Sequence, residues 1–146
     1  MTKEILEALA ALHTDKAGWV FVPEMRTGSG YGGMNEQRLD AWAICCWKAN
    51  KIHNLRRAYE IKVSLADLRT ELLNPDKRWM AYALSHEFYF VAPVGLISVD
   101  ALGPDDGLME WDGTELSITK KAKVRATMPP RWSFVASITR TLCRGY

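Results

Sequence analysis

Five consecutive apolar and aromatic residues, Phe88-Tyr89-Phe90-Val91-Ala92, constrain the fold of this chain more than any other feature. A strand with one wet face alternates apolar and polar side chains, and this run does not alternate. It therefore reads as a short central strand, which needs neighbours on both sides. Upstream, Trp19–Arg26 is rich in β-formers, with Pro23 pointing to an edge position or a bulge. Leu39–Trp47 and Arg57–Val63 follow as second and third strands, joined by the polar connection KANKIHN, so that the two form a hairpin. Before the second strand lies TGSGYGGMNEQ (27–37), whose four glycines mark a flexible loop.

Helical periodicity brackets these strands. Ile5, Leu6, Leu9 and Leu12 recur at helical spacing and predict a helix over 3–14 with one face on the core. Ser64 is placed to cap a helix running to about Leu73, with Asp67 at the capping-box position. Asn74-Pro75 breaks it, and 76–84 resumes helical character. Asp112-Gly113 between LMEW and TELSI signals a hairpin, and Phe134, Val135, Ile138 and Leu142 give a last helix over about 131–142 one face. The order αβββαβ, then a hairpin and a helix, defines an α/β fold with a central mixed β-sheet flanked by helices. A chain of 146 residues forms one domain, 1–146, with a core over about 1–93 and a C-terminal hairpin, basic segment and helix over 94–146.

Composition narrows the function classes. Hydrophobic content of 48% and charged content of 25% are ordinary globular values. No apolar run approaches the roughly 20 residues of a membrane span, and the acidic, amphipathic N-terminus does not read as a signal peptide. Three cysteines, two of them adjacent (Cys45 and Cys46), make neither a disulfide framework nor a zinc knuckle, so reduced thiols and a cytoplasmic location are expected. Neither GxGxxG nor GxxxxGK[ST] is present, which argues against dinucleotide and P-loop chemistry. The net charge of +2 conceals a segregation. Residues 79–119 hold seven acids and no Lys or Arg, whereas everything after Glu115 is basic: Lys120, Lys121, Lys123, Arg125, Arg131, Arg140 and Arg144. That pattern suits a face for a polyanion, and equally a solvated surface.

Asp40, Glu60 and Lys62 carry the chemistry in this frame. Side chains at i and i+2 of a strand share a face, so Glu60 and Lys62 project together, with Tyr59 and Ile61 turned the other way. Asp40 alternates with Trp42 and Ile44 on the preceding strand, and a turn over 48–54 brings it towards Glu60. Two carboxylates meeting on an otherwise apolar sheet repel each other, and a divalent cation relieves that repulsion. Mg²⁺ (or Mn²⁺) suits such a pair, because it takes one or two carboxylates with waters and a substrate phosphate. Lys62 beside it can orient or deprotonate an attacking water, or stabilise a pentavalent phosphate. An isolated ExK triplet is weak evidence, since charges alternate on many exposed strands. Its setting is more specific: a glycine-rich loop, an acidic strand, a hairpin, and a capped helix carrying Arg69, with Lys77 and Arg78 beyond.

The stretch from Glu24 to Pro93, with EMRTGSGYGG, RLDAWAI, YEIKVSLADL and HEFYFVAP, resembles the PD-(D/E)xK phosphodiesterases. The likeness is to archaeal-type Holliday-junction resolvases, MmcB-type DNA-repair proteins and small phage proteins of the same plan. It covers about half the chain, and Leu39 stands where the family name has proline. The resemblance implies a restriction-endonuclease-like core and Mg²⁺-dependent hydrolysis of DNA that leaves a 5′ phosphate. By position it implies Asp40 as the motif aspartate, Glu60 as the second acid, Lys62 as the motif lysine and the Ile61 carbonyl as a further metal ligand. An additional upstream acid would be Glu24, with Glu4 and Glu7 as alternatives. Arg69, Lys77, Arg78, Lys120, Lys121, Lys123 and Arg125 are the candidate phosphate contacts, each weighed against a plain solvated surface. Asp67 is first of all a helix cap, and Trp79 and Tyr82 are core aromatics or base-stacking groups. Expected partners are DNA, no membrane, and a second copy or a repair or phage complex. Two rival readings stand beside this one: a non-catalytic nucleic-acid-binding module on a nuclease fold, and a phage partner-binding or inhibitor protein.

Overall fold

The computed structural model describes residues 1–26 and 37–145. The chain begins with helix α1 (Thr2–Leu12), followed by strands β1 (Trp19–Arg26) and β2 (Arg38–Cys45). The glycine-rich loop expected over 27–37 lies, except for Gln37, outside the described residues. A two-residue ladder, β3 (Lys48–Ala49) with β4 (Ile52–His53), stands where a plain polar connection is expected. Its turn places Asn50 and Lys51 at φ 48° and 65°, the twisted geometry of a two-residue hairpin. Strand β5 (Arg56–Ile61) then leads into helix α2 (Leu65–Leu73), a short 3₁₀ turn (Pro75–Arg78) and helix α3 (Trp79–Leu84). Strands β6 (Glu87–Pro93), β7 (Gly107–Trp111) and β8 (Leu116–Lys120) and helix α4 (Trp132–Arg144) complete the order.

Six strands form one mixed sheet in the order β1-β2-β5-β6-β7-β8. The pairs β1–β2, β2–β5 and β7–β8 are antiparallel, whereas β5–β6 and β6–β7 are parallel. The αβββαβ order is therefore present, with β6 central as its unbroken apolar run requires. Pro23 lies on the edge strand β1, where its missing N–H costs no ladder bond to a further strand. Because β7 pairs directly with β6, the C-terminal hairpin extends the same sheet. Its turn is held by Asp112, whose Oδ1 accepts the N–H groups of Thr114 and Glu115. Helix α2 is capped by Ser64, whose Oγ accepts the Asp67 N–H at 3.2 Å.

Strand alternation sorts the core onto two faces. Trp42, Ala58, Phe88 and Phe90 pack with Leu68, Met80, Leu84 and Phe134 of α2, α3 and α4. Ala41, Tyr59, Tyr89 and Val91 pack with Ile5 and Leu9 of α1 on the other face. Each fully buried aromatic or aliphatic side chain stabilises the fold by about 1.5–3 kcal/mol relative to exposure. Leu12 does not join this packing: helix α1 has run its length there, and the side chain is exposed. His13, at the C-cap of α1, is buried instead. Its Nδ1–H donates to the Leu9 carbonyl and its Nε2 accepts from Tyr59 Oη, both at 2.8 Å. Burial first, and the Arg57 charge after it, hold this imidazole neutral, with its pKa lowered to about 4.

Candidate functional site

The helix-covered face of the sheet brings Asp40 and Glu60 together where β2 and β5 separate. Their last paired residues are Ala41 and Tyr59, and one rung further Asp40 stands across from Glu60. A continuing ladder would give the Ile61 N–H to a β2 carbonyl. Asp40 Oδ2 accepts it instead, at 2.7 Å. On the opposite side of β5, the Lys62 N–H donates to the Val91 carbonyl at 2.9 Å. Backbone alternation therefore sends the Ile61 carbonyl out on the Asp40 side. Glu60 and Lys62 border a cleft of about 670 Å³ between these strand ends and the α2–α3 connection, together with Gln37, Arg38, Lys77 and Trp79. Gln37 fixes the far wall: its Nε2 donates to the Asp76 carbonyl and its Oε1 accepts the Met80 N–H.

The electrostatics follow from this crowding. Burial above all, and then the neighbouring Asp40 charge, push the Glu60 carboxyl up to about 8, with Lys62 pulling the other way. At neutral pH Glu60 thus keeps a proton beside Asp40. Lys62 Nζ lies 3.5 Å from Glu60 Oε1 and 3.1 Å from Glu71 Oε1. Burial draws its pKa down, but the acids around it outweigh that and the net shift is upward.

Glu71 is the residue that sequence reasoning missed. It is buried on α2 between two cations, bonding Lys62 through Oε1 and Arg78 Nη1 through Oε2 at 2.8 Å. Burial alone would raise its pKa, yet the hydrogen bonds from Arg78 and Lys62 leave it lowered. The sequence did hold a signal: Leu68, Glu71 and Leu72 follow i, i+3, i+4, which sets an acid within the apolar stripe of the helix after the ExK strand. From Arg78 the network continues through Tyr82 Oη (3.0 Å) to Asp106 (3.2 Å) and Arg125 (3.0 Å).

This network engages several of the expected phosphate contacts. Arg78 borders the cleft but is buried, donating Nε to Tyr82 and Nη1 to Glu71. Arg125 pairs with Asp106 and covers the Tyr82 ring, 3.8 Å from its centroid. Lys120 Nζ donates to the Gly103 carbonyl at 2.8 Å. Lys121 and Lys123 are exposed, but β8 is the edge opposite β1, and the chain after it runs past Asp105, His86 and Ala83 at the far end of β5 and β6. These four residues therefore do not share the cleft with Lys77, and Arg69 is exposed on α2 outside its lining.

A hard divalent cation suits the donors that remain. Asp40, Glu60 and the Ile61 carbonyl offer oxygen donors, and Mg²⁺ accepts such a set completed by water. Among the described residues no group of three or more His, Cys, Asp or Glu side chains gathers to hold a metal, so a cation here would rest on two carboxylates. Glu24 falls opposite Asp40 in the β1–β2 register, at φ 49°, with its side chain exposed, and it completes no such group. Glu4 and Glu7 are exposed on α1. Among the described residues no helix is long and apolar enough to cross a membrane.

No protein-family model matches the chain, and no curated protein does. A solved structure, the SPO1766 protein of unknown function from Silicibacter pomeroyi, matches with a TM-score of 0.64 at 19% identity. The match covers 95% of this chain and 84% of that one. It shows a shared α/β fold.

Proposed function

We propose that this chain is a divalent-cation-dependent DNA phosphodiesterase of the PD-(D/E)xK kind, acting on branched, single-stranded or damaged DNA. One observation carries the reading: Asp40 and Glu60 meet across β2 and β5, with Lys62 on the same face at the edge of an open cleft. Asp40, Glu60 and the Ile61 carbonyl would hold the cation. When bound, Mg²⁺ or Mn²⁺ would supply a water of lowered pKa and polarise the phosphate. Lys62 has its pKa shifted upward, so it keeps its proton and offers an ammonium to the charge developing on phosphate oxygens, rather than acting as a base. Glu71, fixed by Arg78, holds that ammonium in place. The thiols of Cys45, Cys46 and Cys143 are all free, which supports a reducing, cytoplasmic setting.

Incubation with linear, single-stranded and branched DNA in Mg²⁺, Mn²⁺ or EDTA tests the reading. Cleavage of at least one substrate with cation and none with EDTA is expected. No cleavage under any condition would leave a binding-only module on the same fold.

A further inference from the structure

Of the six tryptophans, four lie against parts of the fold away from the cleft, and Trp132, 85% exposed, lines neither the cleft nor the groove beside it. Trp42 is buried and donates to Ser85 Oγ at 3.1 Å. Trp19 packs edge-on against the His13 ring under the Arg57 guanidinium. Trp111 packs against the α1-side core, and the Trp47 ring closes over Gly18. Trp79 is placed otherwise. It is 40% exposed, opens helix α3, and borders the cleft on one side. On its other side lies a shallow groove lined by Ala83, Met128, Pro129 and Arg131. Among the described residues its ring makes no aromatic or cation–π contact and its indole N–H no hydrogen bond. Three cations flank it without an ion pair among the described residues: Arg38 and Lys77 at the cleft, Arg131 at the groove.

A half-exposed indole beside unpaired cations is the arrangement that receives single-stranded nucleic acid, in which aromatic rings take the bases and cations follow the phosphates. Interior bases of an intact duplex have both faces covered by their neighbours, so within a strand only an unpaired base can lie on such a ring. We propose that Trp79 is a base-stacking platform at the mouth of the cleft, so that DNA enters with at least one nucleotide unpaired. Arg38 and Lys77 hold its phosphates on the cleft side, and Arg131 holds the backbone on the groove side. The proposal takes the identity of the polymer from the phosphodiesterase reading above and narrows it to unpaired strands.

The test separates binding from cleavage by using Asp40→Asn chain in EDTA, with a fluorescein-labelled single strand of about twelve nucleotides and its blunt duplex. Anisotropy is expected to show the single strand bound about tenfold more tightly or better. Adding Trp79→Ala should weaken single-strand binding by roughly 5- to 100-fold and leave the duplex unchanged, while Trp79→Phe restores most of the loss. Lys77→Gln and Arg131→Gln should each flatten the salt dependence by about 0.7 of a unit in slope. Should Trp79→Ala fail to fold by circular dichroism, Trp79→Phe and the two slopes decide. Unchanged single-strand affinity in Trp79→Ala, unchanged slopes, or tighter binding of the duplex would overturn the platform. Trp79-dependent single-strand binding by a chain that cleaves nothing would leave the platform standing and remove the phosphodiesterase reading. Cleavage of duplex DNA indifferent to Trp79 would do the reverse.

Discussion

The carboxylate of Asp40 accepts the N–H of Ile61 at 2.7 Å, in the place where the β2–β5 ladder would have put a backbone carbonyl. One oxygen atom thus ends the strand pairing and fixes an acid beside Glu60. Charge is costly at this spot, and the two acids divide the cost unequally. Asp40 receives a backbone donor, whereas burial and the neighbouring Asp40 charge act on Glu60, and its carboxyl rises to about 8. The resting site holds one proton that a cation would have to displace.

Two substitutions separate the strand-ending role of Asp40 from its charge. Asp40→Asn keeps an oxygen for the Ile61 N–H but removes the charge that presses on Glu60. Asp40→Ala removes both and leaves that N–H without its acceptor, at a cost of about 1–3 kcal/mol. Without divalent cation, Asp40→Asn is expected to melt at or above the wild-type Tm and Asp40→Ala below Asp40→Asn. Both should lose Mn²⁺ binding by titration calorimetry. Equal melting of the two variants would remove the strand-ending role.

The stability of the cation-free protein should carry the signatures of two buried groups. Glu60 holds a proton in the folded state up to about 8, whereas the unfolded chain releases it near 4.5, so its contribution falls as pH rises between those values. His13 does the opposite: its folded pKa is about 4 against an ordinary 6.5, so its contribution falls as pH drops from 6.5 towards 4. The two slopes cancel from about 4.5 to 6.5, and the Tm should be level there. From about 6.5 to 8 Glu60 acts alone and stability should fall by about 2 kcal/mol, several degrees in Tm. Glu60→Gln should abolish that decline, His13→Gln should start it near pH 4.5, and saturating Mg²⁺ should suppress it. Melting curves across this range decide, and a decline that survives Glu60→Gln would assign it elsewhere.

Much of the fold was legible because its signals are local. The alternation in β2 and β5 placed Asp40, Glu60 and Lys62 on one face, Pro23 marked an edge, and Asp112-Gly113 marked the last hairpin. What escaped depends on side-chain pairing and turn geometry that residue types alone do not record. Arg125 is committed to Asp106 and Arg78 to Glu71, which a charge run cannot show because it records cations without their counter-ions. Glu71 looked like one more polar residue of a helix until α2 packed on β5. The β3–β4 ladder was hidden because its turn places two non-glycine residues, Asn50 and Lys51, at positive φ.

Glu71 sits between two cations, so its removal should be felt in both stability and chemistry. Glu71→Ala leaves Lys62 and Arg78 facing each other without a counter-charge, and breaking a buried pair in this way costs about 3–5 kcal/mol. Glu71→Gln keeps a hydrogen-bond acceptor and should cost less. Because Lys62 is then freer to move, kcat on a cleavable DNA should fall in Glu71→Gln with KM little changed. Chemical denaturation gives the first result and steady-state cleavage the second. A Glu71→Gln enzyme with wild-type kcat would make Glu71 a structural residue only.

Lys62 allows metal binding and catalysis to be told apart, because it is no ligand yet bonds one of them. Lys62→Ala removes the ammonium 3.5 Å from Glu60 Oε1, so the Glu60 carboxyl should rise above 8. At pH 7 a divalent cation must then displace a more tightly held proton, and Mn²⁺ affinity should drop. At a pH above the Glu60 pKa of both proteins, where the carboxyl is ionised in each, loss of a positive charge beside the site should leave affinity equal or higher. Cleavage should fall at both pH values, by a factor on the order of 10²–10³ if one contact to the transition state is lost. Asp40→Asn should lose binding and cleavage together at every pH. Calorimetry in two buffers of different ionisation enthalpy counts the protons released on Mn²⁺ binding, and at pH 8, where wild-type Glu60 holds about half a proton, the count should be larger for Lys62→Ala than for wild type. A Lys62→Ala enzyme that cleaves as well as wild type would remove the lysine from the chemistry. A proton count that does not change would mean that Glu60 is not the group the cation displaces.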